Sequence, residues 1–197
     1  MTTTERQPTT TARGRAKASR REALLSAAAR LFAERGYSGT SIEDLGAAAG
    51  VSGPALYKHF SGKQAILAAI LLDASDGLLA GGTEVLSRAA GAEALRALVA
   101  FHVDFALGNA DVIRVQDRDL EQLADSDRHT VRTLQRQYVE LWVDVLAELQ
   151  PEVDRATLRT RAHAVFGLLN STPHSGLDLD RATLRAELAR MALAALT

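Results

Sequence analysis

At 197 residues, with 47% apolar and 24% charged side chains, the chain has the length and composition of one large or two small globular domains. It contains no cysteine, which excludes disulfides and thiolate metal sites and fits a reducing cytoplasm. The net charge of −1 hides an asymmetry: residues 1–63 hold ten Lys/Arg against five Asp/Glu (+5), and residues 64–197 hold thirteen against nineteen (−6), a basic head on an acidic body.

Residues 1–18 mix Thr, Arg, Gly and Ala with almost no bulky apolar side chains and are expected to be a disordered basic arm. Its Arg13, Arg15 and Lys17, with Arg20 and Arg21, suit either a polyanion or a solvated tail. The segment has no apolar core, so it does not read as a signal peptide. A first helix is predicted over about 20–35, with Leu24, Ala27, Ala28, Leu31 and Phe32 as its buried stripe and Gly36 as its stop.

Two short helices then meet at a tight corner. Thr40 with Glu43 reads as a capping box. Ile42, Leu45 and Ala49 give an apolar face, and Gly50 supplies a left-handed stop beside Val51, which is expected to pack in the corner. Ser52 caps the second helix, Pro54 lies in its first turn, and Leu56 and Phe60 form its inward stripe. Two short helices with a glycine turn are the helix-turn-helix pattern.

Ser61 with Gln64 forms a further capping box and opens a fourth helix. This helix is apolar on more than one face (Ala65, Ile66, Ala69, Ile70, Leu72), so it should touch both the head and the rest of the protein. Gly77, Gly81 and Gly82 predict a loop or kink near 77–83. The longest apolar run, 65–72, stops at Asp73 and is too short to cross a bilayer.

Further helices are predicted up to Gly108, over about 110–124 and 127–149, over 154–172 before Pro173, and from Asp178 or Asp180 to the end. No segment alternates with period two. The expected fold is all-α, about nine helices, divided into a basic arm (1–18), a three-helix head (19–63) and a helical body (64–197).

Ser41, Ile42, Leu45, Ala48, Ala49, Gly50, Val51, Ser52, Leu56, Tyr57, His59, Phe60 and Lys63 together resemble the DNA-binding motif of the TetR repressor family. The resemblance extends from Ala27 to Leu67, roughly the first third of the chain. Gly46 departs from the usual Ala at a helix cost of about 1 kcal/mol, and Pro54 from a common Gly.

The resemblance implies a double-stranded DNA partner. Ser52, Gly53, Pro54 and Ala55 would face base edges, with Pro54 or Ala55 meeting a thymine methyl. Tyr57 and His59 would contact phosphates, and Lys58 a base or a phosphate. Thr40 and Ser41 would offer hydroxyl and backbone donors to the phosphate chain, and Lys63 would touch the backbone. Helix packing for Tyr57 and His59, and a solvated side chain for Lys63, are the alternatives.

It also implies a homodimer on a pseudo-palindromic operator. Leu158, Val165, Phe166 and Leu169, with Leu184, Leu188 and Met191, would form its four-helix dimer interface, the chain's own core being the alternative. The implied activity is repression released by a small molecule that shifts the spacing of the two heads. Phe101, Phe105, Trp142 and Phe166 are candidate apolar walls for that ligand, set against plain core packing. His102, Arg114, Arg118, Asn170 and Thr172 are candidate polar contacts. Arg118 could hold an anionic group or pair with Asp117, Asp119 or Glu121. A lipid-derived or acyl-thioester ligand is favoured, with a drug-like aromatic still open.

The five histidines are scattered, and no nucleophile elbow, phosphate-cradling loop or His-Glu-x-x-His helix is present in the sequence, so neither catalysis nor a cofactor or metal is implied. A protein-interaction module is the main alternative to a DNA binder, and a cofactorless enzyme the least favoured. The expected place is the cytoplasm, with no membrane partner.

Overall fold

The computed structural model describes residues 12–174 and 178–197, with side chains described from Ala18 onward. Nine α-helices and two 3₁₀ turns make up the described residues, with no strand among them. The helices are α1 (Ala12–Arg35), α2 (Ile42–Ala48), α3 (Gly53–Tyr57), α4 (Lys63–Leu86), α5 (Gly91–Gly108), α6 (Ala110–Asp119), α7 (Asp125–Leu149), α8 (Arg155–Leu169) and α9 (Arg181–Leu196). The 3₁₀ turns, Leu120–Gln122 and Thr172–His174, follow α6 and α8.

Two cores organise the chain, and α4 joins them. The first gathers Phe32 of α1, Leu45 of α2 and Leu56 of α3 around Ile66, Leu67, Ile70 and Leu71 in the first half of α4. Val115, Leu123 and Val131 from the body close it, so the head's core reaches well past Lys63. The second is built from α5, α7, α8 and α9, with Leu78, Leu79, Val85 and Leu86 of α4 against it. By length and composition alone α4 would also suit a membrane span, but its apolar faces lie against α1, α5 and α7.

Several expectations change here. The expected arm at 1–18 lies outside the described residues up to Thr11, and from Ala12 the chain is already α1. No loop interrupts 77–83, because α4 runs unbroken to Leu86. Its glycines answer to packing: a Cβ on Gly81 would overlap the Phe101 ring, and one on Gly82 would lie 2.7 Å from Tyr138 Cε2. They let α5 and α7 approach α4 closely, which outweighs the loss of helix propensity.

The capping box is shifted by one residue. Ser41 caps α2, its Oγ accepting from the Asp44 N–H at 3.0 Å while Asp44 Oδ2 accepts from the Ser41 N–H at 2.9 Å. Ser61 makes no box with Gln64; Gly62 is the N-cap of α4 without a side-chain bond. The corner itself forms as the sequence requires, with Gly50 at φ +67°, but Val51 is exposed. Gly46 belongs to this corner, since a Cβ there would lie 2.9 Å from the Val51 carbonyl oxygen.

Candidate nucleic-acid interface

Helix α3 is only five residues long, so packing rather than propensity must hold it. Leu56 (0% exposed) and Phe60 (8%) anchor it to the head's core. With those two side chains turned inward, Tyr57, Lys58 and His59 are exposed on the opposite side. Tyr57 is 56% exposed, a large aromatic ring presented to solvent by a rigid support. Ser52 and Pro54 are exposed and Gly53 and Ala55 half-buried, so the first turn of α3 is a low, small-residue surface that another molecule can approach closely. Ser52 makes no side-chain capping bond, which leaves its hydroxyl uncommitted to its own helix.

The Thr40, Ser41 and Lys63 side chains are placed differently from the expectation. Thr40 is buried (2% exposed), and its Oγ1 donates to the Gly36 carbonyl at 2.8 Å. The Ser41 hydroxyl donates to Asp44 Oδ2 at 2.6 Å. That bond, followed by the Ser41 N–H bond, holds the Asp44 carboxyl below its ordinary range. Lys63 Nζ donates to the carbonyls of Tyr37 and Thr40, both at 2.8 Å. These three side chains shape the support for α3, because their polar groups satisfy the backbone of the α1–α2 corner.

The residues expected at a ligand site separate into three groups. Phe101 and Phe105 border a cleft of about 890 Å³ between α1, α4, α5 and α6, with Leu25 and Ile70 on its apolar side. Arg21 bridges this cleft from α1 to Asp73 of α4, at 2.5 and 3.4 Å. A pair 52 residues apart leaves no local signal in the sequence.

His102, Trp142, Phe166 and Asn170 instead form one packed cluster with Tyr138. The His102 ring lies parallel to Phe166 at 4.8 Å and to Tyr138 at 5.7 Å, with Trp142 edge-on at 6.0 Å. Its Nε2 faces Asn170 Oδ1 at 3.1 Å and its Nδ1 faces the Tyr138 hydroxyl at 3.2 Å. With the Asn170 oxygen as acceptor, the ring proton sits on Nε2, and Nδ1 accepts from Tyr138. Burial pushes His102 down to about 4 against the smaller opposing effect of the Asn170 bond, so the ring is neutral at pH 7. Burial likewise raises the Tyr138 hydroxyl.

Arg114 and Arg118 belong to neither place. Arg114 Nη2 donates to the Pro173 carbonyl at 2.5 Å, and Arg118 reaches the end of α1. Thr172 Oγ1 donates to the Ala106 carbonyl at 3.1 Å.

The apolar stripes of α8 and α9 pack largely on the chain's own core. Leu158, Val165, Leu169 and Leu188 are buried within one chain, Phe166 joins the aromatic stack, and Leu184 and Met191 are half-buried against the same core. The exposed face of α8 carries Ala156, Thr160, His163, Ala164 and Gly167.

Comparison with known proteins follows this division into head and body. Residues 24–70 match the family described as bacterial regulatory proteins, tetR family, and residues 88–174 match the tetracyclin repressor-like C-terminal domain. The HTH-type transcriptional repressor KstR2 of Rhodococcus jostii is 32% identical over 132 residues, covering 66% of this chain and 65% of its own length. The chain therefore matches slightly under two thirds of that relative. The crystal structure of the TetR family transcriptional regulator PfmR from Thermus thermophilus is 29% identical, covers 95% of this chain and 96% of its own, and superposes with a TM-score of 0.75. Bacillus subtilis FadR, solved in complex with stearoyl-CoA, shares the fold at 18% identity and a TM-score of 0.69, over 88% of this chain and 98% of its own.

Proposed function

Since this chain belongs to the TetR family of bacterial regulatory proteins, we propose that it is a transcriptional repressor. In this reading it binds a pseudo-palindromic operator as a dimer and leaves it when a small molecule binds the body. The family is one of regulators and not of enzymes. The observation that carries the reading is α3 itself: a five-residue helix pinned by Leu56 and Phe60 that turns Tyr57, Lys58 and His59 outward.

The small first turn of Ser52, Gly53, Pro54 and Ala55 enters the major groove, where Pro54 or Ala55 meets thymine methyl groups and Ser52 hydrogen-bonds a base edge. Tyr57 and His59 reach phosphates to either side, and Lys58 adds a charge to a base or a phosphate. Thr40, Ser41 and Lys63 act from beneath, holding the corner on which α3 is mounted.

One such head reads few base pairs, so two copies related by a two-fold axis read a repeated half-site. The outward face of α8, lined by Ala156, Thr160, Ala164 and Gly167, is small enough for two helices to pack closely across that axis.

Ligand release requires a molecule that prefers one head spacing; a hundredfold loss of operator affinity needs roughly 2.8 kcal/mol of differential binding. The cleft bordered by Phe101 and Phe105 is the entry to the body, and both α4 and α6 touch it and the head. A lipid-derived or acyl-thioester ligand remains the first class to test, in keeping with the stearoyl-CoA held by FadR. Such a regulator works in the cytoplasm, where its operator is.

Titration against labelled genomic fragments tests the reading. Lys58→Ala and Tyr57→Ala should each weaken binding while leaving the helical circular dichroism unchanged. Equal binding by both variants and the parent would remove α3 from the interface.

A further inference from the structure

Resting on the DNA-binding reading, we propose that Arg118 and Asp119, at the end of α6, are positioning residues for recognition: they clasp the α1–α2 corner and fix the angle at which α2 and α3 leave the body. The last carbonyls of α1 have no partners inside the helix, and that of Phe32 accepts the Gly36 N–H at 2.8 Å just past its end. Arg118 adds donors to two of them. Its Nη2 donates to the Phe32 carbonyl and its Nη1 to the Ala33 carbonyl at 3.3 Å, placing a cation at the negative end of the α1 dipole. The flat guanidinium fork suits this arrangement, where an ammonium would reach one oxygen at a time.

Gly36 completes the fit. It turns the chain at φ +81°, and the position of an absent Cβ lies 3.6 Å from Arg118 Cζ. One residue on, the Tyr37 N–H donates to Asp119 Oδ2 at 3.3 Å. Asp119 is buried (5% exposed) and is itself paired with Arg118 Nη2 at 3.1 Å. From the other side, Lys63 holds the Tyr37 and Thr40 carbonyls. Backbone groups at positions 32, 33, 37 and 40 are thus held from outside their own segment, and Ser41 begins the cap of α2 immediately afterwards.

Neither Arg118 nor Asp119 is on α2 or α3, so both act through the angle of the head. That angle matters to an operator of two half-sites about 34 Å apart, because a small rotation at the corner moves both recognition helices out of register. A random duplex, bound through phosphates in any register, makes no such demand.

The double variant Arg118→Leu with Asp119→Asn tests this. It leaves no buried unpaired charge, and the Asn oxygen still accepts the Tyr37 N–H. Because the chain has no cysteine, spin labels at Ala47→Cys and Arg136→Cys, in chains diluted with unlabelled protein, report the head-to-body distance by pulsed electron resonance. The distance distribution should broaden, and affinity for an operator selected from genomic DNA should fall about tenfold or more, within the usual range for coupled sites. Affinity for a random duplex, and its salt dependence, should stay unchanged. A distribution as narrow as the parent's, or an equal loss on operator and random duplex, would overturn the proposal. If the parent binds no duplex at all, the DNA-binding reading fails, while the distance measurement still judges the clasp.

Discussion

Lys63 Nζ lies 4.3 Å from the centre of the Tyr37 ring and 2.8 Å from the Tyr37 carbonyl oxygen, so one ammonium meets both the face and the backbone of the same residue. The sequence suggests a phosphate contact there; the structure makes Lys63 first a tie across the corner. Lys63→Met should therefore destabilise the fold by about 1.5–3 kcal/mol, the range for hydrogen bonds to a charged group. It should also weaken the operator more than a random duplex, because a loosened corner moves α3 out of register. Urea melts beside duplex titrations check both; full stability with weakened binding would return Lys63 to a purely external role.

The glycines of α4 should respond in opposite directions. Gly77→Ala meets no atom within 4 Å and should stabilise by about 0.5–1 kcal/mol through helix propensity. Gly82→Ala places its methyl 2.7 Å from Tyr138 Cε2 and 3.2 Å from Leu141 Cδ1, inside a packed helix contact. It should cost roughly 1–3 kcal/mol from overpacking, partly offset by propensity. Thermal melts of the two variants should move to opposite sides of the parent.

His102 makes stability depend on pH. Its folded value, about 4, lies below the ordinary 6.5 because the ring is buried. Between those two values the unfolded chain takes up a proton that the folded chain refuses. Its stabilising contribution is therefore full above pH 6.5 and is lost as pH falls to about 4, by roughly 3 kcal/mol. The difference in unfolding free energy between the parent and His102→Phe should change by that order across the window. An unchanged difference would mean that the ring is hydrated or charged at pH 7.

The exposed face of α8 predicts the assembly. Ala164→Arg places a charged side chain where the single chain is open, so the fold should survive while the dimer separates. Sedimentation should give one chain for the variant and two for the parent. A parent that is a single chain at micromolar concentration would contradict the dimer.

The head was legible because its determinants are local. Gly50 supplies the positive φ, Pro54 opens α3, and Leu56 and Phe60 are spaced to bury one face. The cap was misplaced by one because Thr40–Glu43 and Ser41–Asp44 satisfy the same pattern. What separates them is the burial of Thr40 against the Gly36 carbonyl, a consequence of the corner as a whole. Gly81 and Gly82 suggested a break because their purpose lies on other helices, at Phe101 and Tyr138. Spacing could not separate core from partner on α8 and α9 for a related reason: the most apolar positions, Leu158, Val165, Leu169 and Leu188, fill the chain's own interior first. Arg118 stood out in a charged segment, but its partners at Phe32 and Ala33 are 86 and 85 residues away and no spacing announces them.

The mass of the complex formed with a duplex selected from genomic DNA tests the central claim most directly. Two chains should sit on one pseudo-palindromic site, with affinity that falls steeply as salt rises. A selection that enriches no sequence, or a complex holding a single chain on a site without symmetry, would contradict it.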